Sequence, residues 1–321
     1  MIDIQKNIIL APYTTFRIGG PAEFFVEVES GEELVEAIEF ANEKSLDFFI
    51  LGGGSNILVS DKGFAGLVIK INSKLFVAND VSIGCGAGWS LAKIVKESAA
   101  HKLSGMEWAF GIPGTIGGAI RGNAGAFGSK ISDIIKKVNC VDTKDLYEEL
   151  AGKKVVKIKT FGKEQCDFSY RDSIFKRNSN LIILSASFEF KSGNADEINE
   201  KMKELIKSRI AQQPHGASPG SFFKNPESTE HNRRYVKEIP RFKELNLHEK
   251  NTIPAGFLIE EAGLKGKKMG GAMVSEEHAN FIVNTGTATA EDVIMLTSFI
   301  KQQVRDQFGV ELQEEIRYVG F

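Results

Sequence analysis

The stretch GMEWAFGIPGTIGGAIRGNAGAFGSKISD, residues 105–133, decides how this chain is read. It is crowded with glycine and carries only scattered apolar groups. A connection of that length inside a compact domain is either functional or disordered. Trp108, Phe110 and Phe127, and the lack of a Ser-, Gln- or Glu-rich bias, disfavour disorder. The expectation is therefore a long loop that wraps a large, flat ligand.

A second glycine cluster lies upstream, LGGGSNILVS at residues 51–60, between two strand-like runs. Its small residues remove the Cβ barrier and let several backbone N–H groups converge on an anion, as phosphate-holding nests do. A plain hairpin turn is an equally good reading of GGGSN taken alone. The GxGxxG dinucleotide fingerprint is excluded, because a strand and not a helix follows the turn.

Further out, regular elements are legible. Ser30 with Glu33 reads as a capping box before a helix with Leu34, Val35, Ile38 and Ala41 on one face. FFVEV, FFIL, GLVIKI and VSIGCGAG read as strands, and residues 90–101 as a helix burying Leu91, Ile94, Val95 and Ala99. Residues 136–142 and 155–159 read as short strands joined by a polar loop, and 181–190 as the strand closing that lobe. A helix at 195–213, with Ile198, Met202, Leu205 and Ile206 inward, is expected to bridge to the last module. Pro254 and Gly263 bracket a short helix, and another at 290–308 stops at Gly309. The ending VELQEEIRYVG reads as a strand with Leu312, Ile316 and Tyr318 on one side, so Glu314 and Glu315 face opposite ways, Glu314 toward solvent.

Composition narrows the class. A chain of 321 residues fits two or three modules, and 40 basic against 42 acidic side chains give a net charge of -2, with no nucleic-acid or membrane footprint. Cys85, Cys140 and Cys166 are odd in number and far apart, which suits neither a zinc pair nor a disulfide scaffold. The opening MIDIQKNIIL lacks the pattern of a secretory signal, and no run approaches a membrane span. A reducing cytoplasm is the expected setting.

Three other stretches carry chemistry. FSYRDSIFK, residues 168–176, puts Tyr170 beside Arg171, and a buried Arg there needs an anion, either Asp172 or a ligand. In GSFFKNP, residues 220–226, Ser221 is a turn residue or helix cap on its own, but Phe222 and Phe223 beside Lys224 and Asn225 combine apolar walls with polar ends as a pocket requires. Lys265 near Gly270 and Gly271 suits a diphosphate, though a solvated Lys is the commoner fate. His278 is expected to satisfy a turn, and the segment 227–251, with His231 and His248 at no metal-ligand spacing, to form a solvated surface.

Taken in order, TTFRIGGPA, LGGGSNILVSDKGFAGLVI, GAGWSLAKIV, GIPGTIGGAIRGNAGAFG, FSYRDSIFK, GSFFKNP, AGFLIEEAGLKG, GGAMVSEEHANFIVN and LQEEIRYVG resemble the UDP-N-acetylenolpyruvoylglucosamine reductase family, FAD enzymes of peptidoglycan precursor synthesis. The likeness runs from about Thr14 to the C-terminus. It implies an α+β fold: a two-lobed FAD-binding module of the PCMH or vanillyl-alcohol-oxidase type over residues 1–192, with lobes at 1–75 and 76–192, then a C-terminal α/β substrate-binding domain over 193–321 whose last strand, 310–319, returns toward the active site. It also implies that Gly52, Gly53, Gly54, Ser55 and Asn56 hold the FAD pyrophosphate, and that Ile112, Pro113, Gly114, Thr115, Gly118, Asn123 and Gly125 line the rest of the cofactor. FAD is expected bound but not covalently attached, with NADPH as hydride donor.

The same likeness makes Arg171, Ser221 and Glu315 catalytic, and Tyr170, Asn225 and Lys265 substrate contacts, in a cytoplasmic monomer that reduces UDP-N-acetylglucosamine-enolpyruvate. Arg121, Gly122 and Gln313 depart from the family pattern, and the short span from Arg171 to Ser221 matches the subfamily without an inserted Tyr-bearing loop. An oxidase of small alcohols or sugars on the same FAD module would explain the glycine loops but not GSFFKNP with LQEEIRYVG. A non-catalytic nucleotide-binding relative would not need Arg171, Ser221 and Glu315.

Overall fold

A computed structural model describes residues 2–321. The chain builds two compact units from interleaved segments. The first runs to Ile8, then takes Ala22–Gly53 and Phe64–Arg209, while the second takes Ile9–Pro21, Gly54–Gly63 and Ile210–Phe321.

In the first unit, Gln5–Ile9, Pro21–Val28, Phe64–Ile71 and Phe48–Leu51 form a sheet in that order, with Phe64–Ile71 parallel to both of its neighbours. Leu67, Val68 and Ile69 are all buried, the continuous apolar run that a parallel strand covered on both faces requires. A second, antiparallel sheet orders Lys159–Gly162, Ile135–Asp142, Leu181–Glu189, Ser82–Gly86 and Phe76–Asn79. Helices Gly31–Glu43 and Leu91–Ala100 bury their predicted faces in the same core as these sheets. Ser30 accepts the Glu33 N–H as expected of a cap, but the Glu33 carboxylate takes the N–H of Glu29, so the reciprocal box is shifted by one residue.

Two readings of this unit need correction. The stretch 105–133 is not a structureless loop: it holds the helix Ile116–Arg121 and two 3-10 turns, and buries Trp108, Ile116, Ala119, Ile120 and Ile131. Ile116, Ala119 and Ile120 have helical spacing, but the intervening Gly117 and Gly118 lower the local propensity and hide it. The expected strand at 155–159 is split. Lys153–Val156 pairs with Tyr147–Leu150 as a separate ribbon, and Lys159–Gly162 joins the antiparallel sheet.

The hairpin reading of GGGSN also fails. The strand before it, Phe48–Leu51, pairs with Phe64–Ile71, and the strand after it, Ile57–Val59, pairs in parallel with Arg317–Val319.

The second unit has a three-stranded antiparallel sheet of Lys268–Met269, Ala272–Val274 and Ile282–Asn284. Helix Ala290–Phe308 begins in a Thr289/Asp292 capping box and ends at Gly309, with φ +65°. Its Val293, Leu296, Ile300 and Val304 share a core with Phe16, Leu58, Phe222, Phe223, Leu258 and Ile259. The 227–251 segment is more than solvated surface: it forms helices Glu230–Val236 and Pro240–Glu244 and buries Val236, Phe242 and Leu247, while His231 and His248 stay exposed. Its many charges mask so sparse an apolar pattern. The expected final strand narrows to Arg317–Val319, with Glu314 making an isolated bridge to Phe223.

Helix Ala195–Gln212 places Ile198 and Met202 in the first unit's core. Among the described residues, no helix is long and apolar enough to cross a membrane.

Candidate active site

In the first unit two glycine turns are pressed together. A Cβ on Gly52 would lie 2.8 Å from Thr115 Oγ1, and one on Gly53 would lie 2.7 Å from Gly114 Cα, closer than real side chains approach. Thr115 caps helix Ile116–Arg121 by accepting the Gly118 N–H, and the turn is strapped to its neighbour by Leu91 N–H to Gly114 O (3.0 Å) and Ile116 N–H to Trp89 O (2.8 Å). A Cβ on Gly118, by contrast, would touch only Thr115 Oγ1, at 3.6 Å. Close backbone approach with open room beside Gly118 suits a phosphate-bearing cofactor, and the residues present fit FAD. Ile112 is held by its N–H to Ala109 O, and Gly125 lies in a two-residue strand opposite Lys130.

Arg209, which the sequence reading did not single out, supports this loop from helix Ala195–Gln212. Its buried guanidinium donates to Trp108 O (2.9 Å) and Phe110 O (3.1 Å), and burial lowers its pKa. The available signal was its register with Ile198 and Met202 on the helix's inner face.

The Tyr170–Arg171 turn is pinned to the end of the same loop. Buried Asn123 donates to Ser169 O at 2.8 Å and accepts the Ser132 N–H, and Ser173 Oγ donates to Arg121 O at 2.8 Å. Arg171 has φ +54°, a left-handed conformation costly for a long side chain and kept by the paired Ser169–Asp172 backbone bonds and by Lys176 Nζ donating to Arg171 O. Its guanidinium lies 5.5 Å from the Tyr170 ring centroid, and Tyr170 is exposed. The carboxylate of Asp172 is engaged by Arg177, which also binds Asp167.

In the second unit, the backbone brings Ser221, Glu315 and Asn56 together. Ser221 bridges Phe281. Next to it, Phe222 O accepts the Glu315 N–H at 2.8 Å, and Glu315 O accepts from Asn56 Nδ2 at 3.2 Å. Arg317 N–H to Asn56 O, at 3.0 Å, closes the lacing.

Asn280, also missed in the sequence, clamps the Ser221 strand. Its backbone O accepts the Phe222 N–H (2.7 Å), its Oδ1 the Phe223 N–H (2.9 Å), and its Nδ2 donates to Phe223 O (2.8 Å). Nothing in HANF signals a partner 57 positions away. His278 satisfies the turn, as expected: its Nδ1 accepts the Asn280 N–H, and burial lowers its pKa.

Two candidate substrate residues have protein partners. Asn225 Oδ1 accepts the Ala255 N–H at 3.0 Å, at the start of helix Ala255–Glu261. Lys265 is ion-paired with Glu260 at 3.1 Å rather than simply solvated. Burial acts to raise the Glu260 pKa, but Lys265 and Arg241 outweigh it and hold the carboxyl below its usual range. Glu314, expected toward solvent, is half-buried and bound by Lys301 at 3.0 Å.

Residues 22–147 match the family model described as FAD binding domain. Together with the paired glycine turns, this defines an FAD-binding protein. Residues 212–319 match the UDP-N-acetylenolpyruvoylglucosamine reductase C-terminal domain. The reductase of that name from Caldanaerobacter subterraneus subsp. tengcongensis is 40% identical over 319 residues, 99% of this chain and 94% of the relative. The one from Clostridioides difficile is 37% identical over 321 residues, with 99% and 94% covered. A crystal structure of the reductase from Thermus caldophilus aligns with TM-score 0.75 at 31% identity, covering 99% of this chain and all of that one. The chain belongs to the UDP-N-acetylenolpyruvoylglucosamine reductase family.

Proposed function

We propose that this protein reduces UDP-N-acetylglucosamine-enolpyruvate to UDP-N-acetylmuramate with NADPH, a step in peptidoglycan precursor synthesis. The observation that carries the reading is the lacing, in the second unit, of the three distant segments that bear Ser221, Glu315 and Asn56: Phe222, next to Ser221, accepts the Glu315 N–H, and Asn56 bonds the backbone of Glu315 and Arg317. Chain order alone does not bring them together, and a bare nucleotide-binding module has no use for the first two. When bound, FAD supplies the hydride chemistry between NADPH and the terminal carbon of the enolpyruvyl group.

The roles of the side chains follow from where charge develops. Hydride addition leaves carbanion character on the carbon bearing the carboxylate, spread onto an enolate. Arg171 binds that carboxylate with a planar fork and stabilises the added charge. Glu315, half-buried, is the hydrogen-bonding acid assigned to the enolate. Ser221 Oγ gives its proton to the basic carbon and is re-protonated from solvent. Tyr170, Asn225 and Lys265 hold the substrate, Lys265 at the diphosphate.

FAD is held without a covalent bond. Burial pushes the Cys85 and Cys140 thiols up to about 12 and that of Cys166 up to about 11, so none offers a thiolate. We place the enzyme in the cytoplasm as a monomer.

Separated half-reactions test the reading. Ser221→Ala should leave bleaching of the flavin by NADPH intact and slow re-oxidation by the enolpyruvyl nucleotide about 10²–10⁴-fold, the worth of a positioned acid. A loss of less than about tenfold in the second half-reaction removes Ser221 from proton transfer.

A further inference from the structure

We infer that Arg241, in the charged 227–251 segment, is a positioning residue that keeps Lys265 available to the substrate diphosphate. This rests on the assignment of Lys265 made above. An Arg241 Nη and Lys265 Nζ lie 3.0 and 3.1 Å from the same oxygen, Glu260 Oε1, and Arg241 also reaches Glu261 Oε1 at 3.1 Å. The four side chains form a line of alternating charge. Phe242, fully buried beside Arg241, packs 5.9 Å from the Phe257 ring and so seats helix Pro240–Glu244 against helix Ala255–Glu261.

All four side chains are partly exposed, and pairs of that kind are weak enough to be exchanged for a ligand. An incoming diphosphate must draw Lys265 away from Glu260. With Arg241 present, Glu260 keeps a cation when Lys265 leaves, and Glu261 stays neutralised. Without Arg241, Lys265 is left to hold Glu260, and two carboxylates on one helical turn repel the diphosphate. The 227–251 segment thereby tunes nucleotide-sugar binding without touching the nucleotide.

The test is steady-state kinetics with UDP-N-acetylglucosamine-enolpyruvate as the varied substrate. Arg241→Met should raise KM about two- to fivefold, the scale of exposed ion pairs, with kcat little changed. Arg241→Lys should restore KM, and Glu260→Gln should cancel most of the Arg241→Met effect when the two are combined. Lys265→Met serves as the control and should raise KM by itself. If Lys265→Met raises KM while Arg241→Met leaves it at the wild-type value, the Arg241 inference is overturned and the Lys265 assignment stands. A fall in kcat at unchanged KM in Arg241→Met overturns it equally. If Lys265→Met does not raise KM, the diphosphate assignment fails and the inference goes with it.

Discussion

Arg171 shows what a single residue can and cannot reveal in sequence. FSYRDSIFK advertises a guanidinium that needs an anion, and Asp172 is the nearest candidate in the chain. In the structure Arg177, five positions on, engages Asp172, and Arg171 sits in a left-handed turn that no residue type announces. The role proposed for Arg171, binding a planar carboxylate, sets a strict test. Arg171→Lys keeps the charge but loses the bidentate fork, so enolpyruvyl reduction should slow about 10- to 100-fold, the scale of one charge-assisted hydrogen bond. Flavin bleaching by NADPH should be spared. Near-normal turnover in the Lys variant would return Arg171 to a structural role.

At the scale of elements, amphipathic helices and buried strands were legible because their apolar spacing is dense and their caps are local. The helix Ile116–Arg121 was hidden by its glycines, and Val236 and Phe242 by the charges around them. The Asn280 clamp was hidden because its partners at 222 and 223 are distant in sequence. It nevertheless fixes the strand that carries Ser221. Asn280→Ala leaves the Phe223 N–H and C=O buried without that partner, each costing about 1–3 kcal/mol, so thermal denaturation should show a loss of roughly 2–6 kcal/mol. The second half-reaction should slow with it.

The same turn sets a pH dependence. Burial, reinforced by Lys265 and opposed by the turn's backbone bond and Glu260, holds His278 below the ordinary 6.5, so it folds neutral with Nδ1 as acceptor. As pH falls below 6.5, the unfolded chain takes up a proton that the folded chain refuses, and stability drops until the lower folded pKa is passed. His278→Asn keeps an acceptor and removes the titration. Its melting temperature should fall less than wild type between neutral and mildly acidic pH, and equal slopes would exclude His278 as the cause.

At the scale of the whole molecule, local patterns report elements, whereas the assignment of segments to units depends on pairings such as Ile57–Val59 with Arg317–Val319, which span most of the chain. Residues 9–21 and 54–63 belong to the second unit although they lie near the N-terminus, and they place Phe16, Ile18 and Leu58 in its core. This makes severing the chain after Arg209 an asymmetric experiment. The fragment 1–209 contains every segment of the first unit, whereas 210–321 lacks two segments of the second. Each of those three buried side chains is worth about 1.5–3 kcal/mol, so their loss, together with the unpaired strand Arg317–Val319, matches the roughly 5–15 kcal/mol that keeps a domain folded. The fragment 210–321 should therefore give a far-UV spectrum without a cooperative melt. The fragment 1–209 should melt cooperatively while aggregating through the uncovered Phe16, Ile18 and Leu58. A sharp thermal transition in 210–321 alone would show that the early segments are dispensable and that the second unit is a contiguous domain.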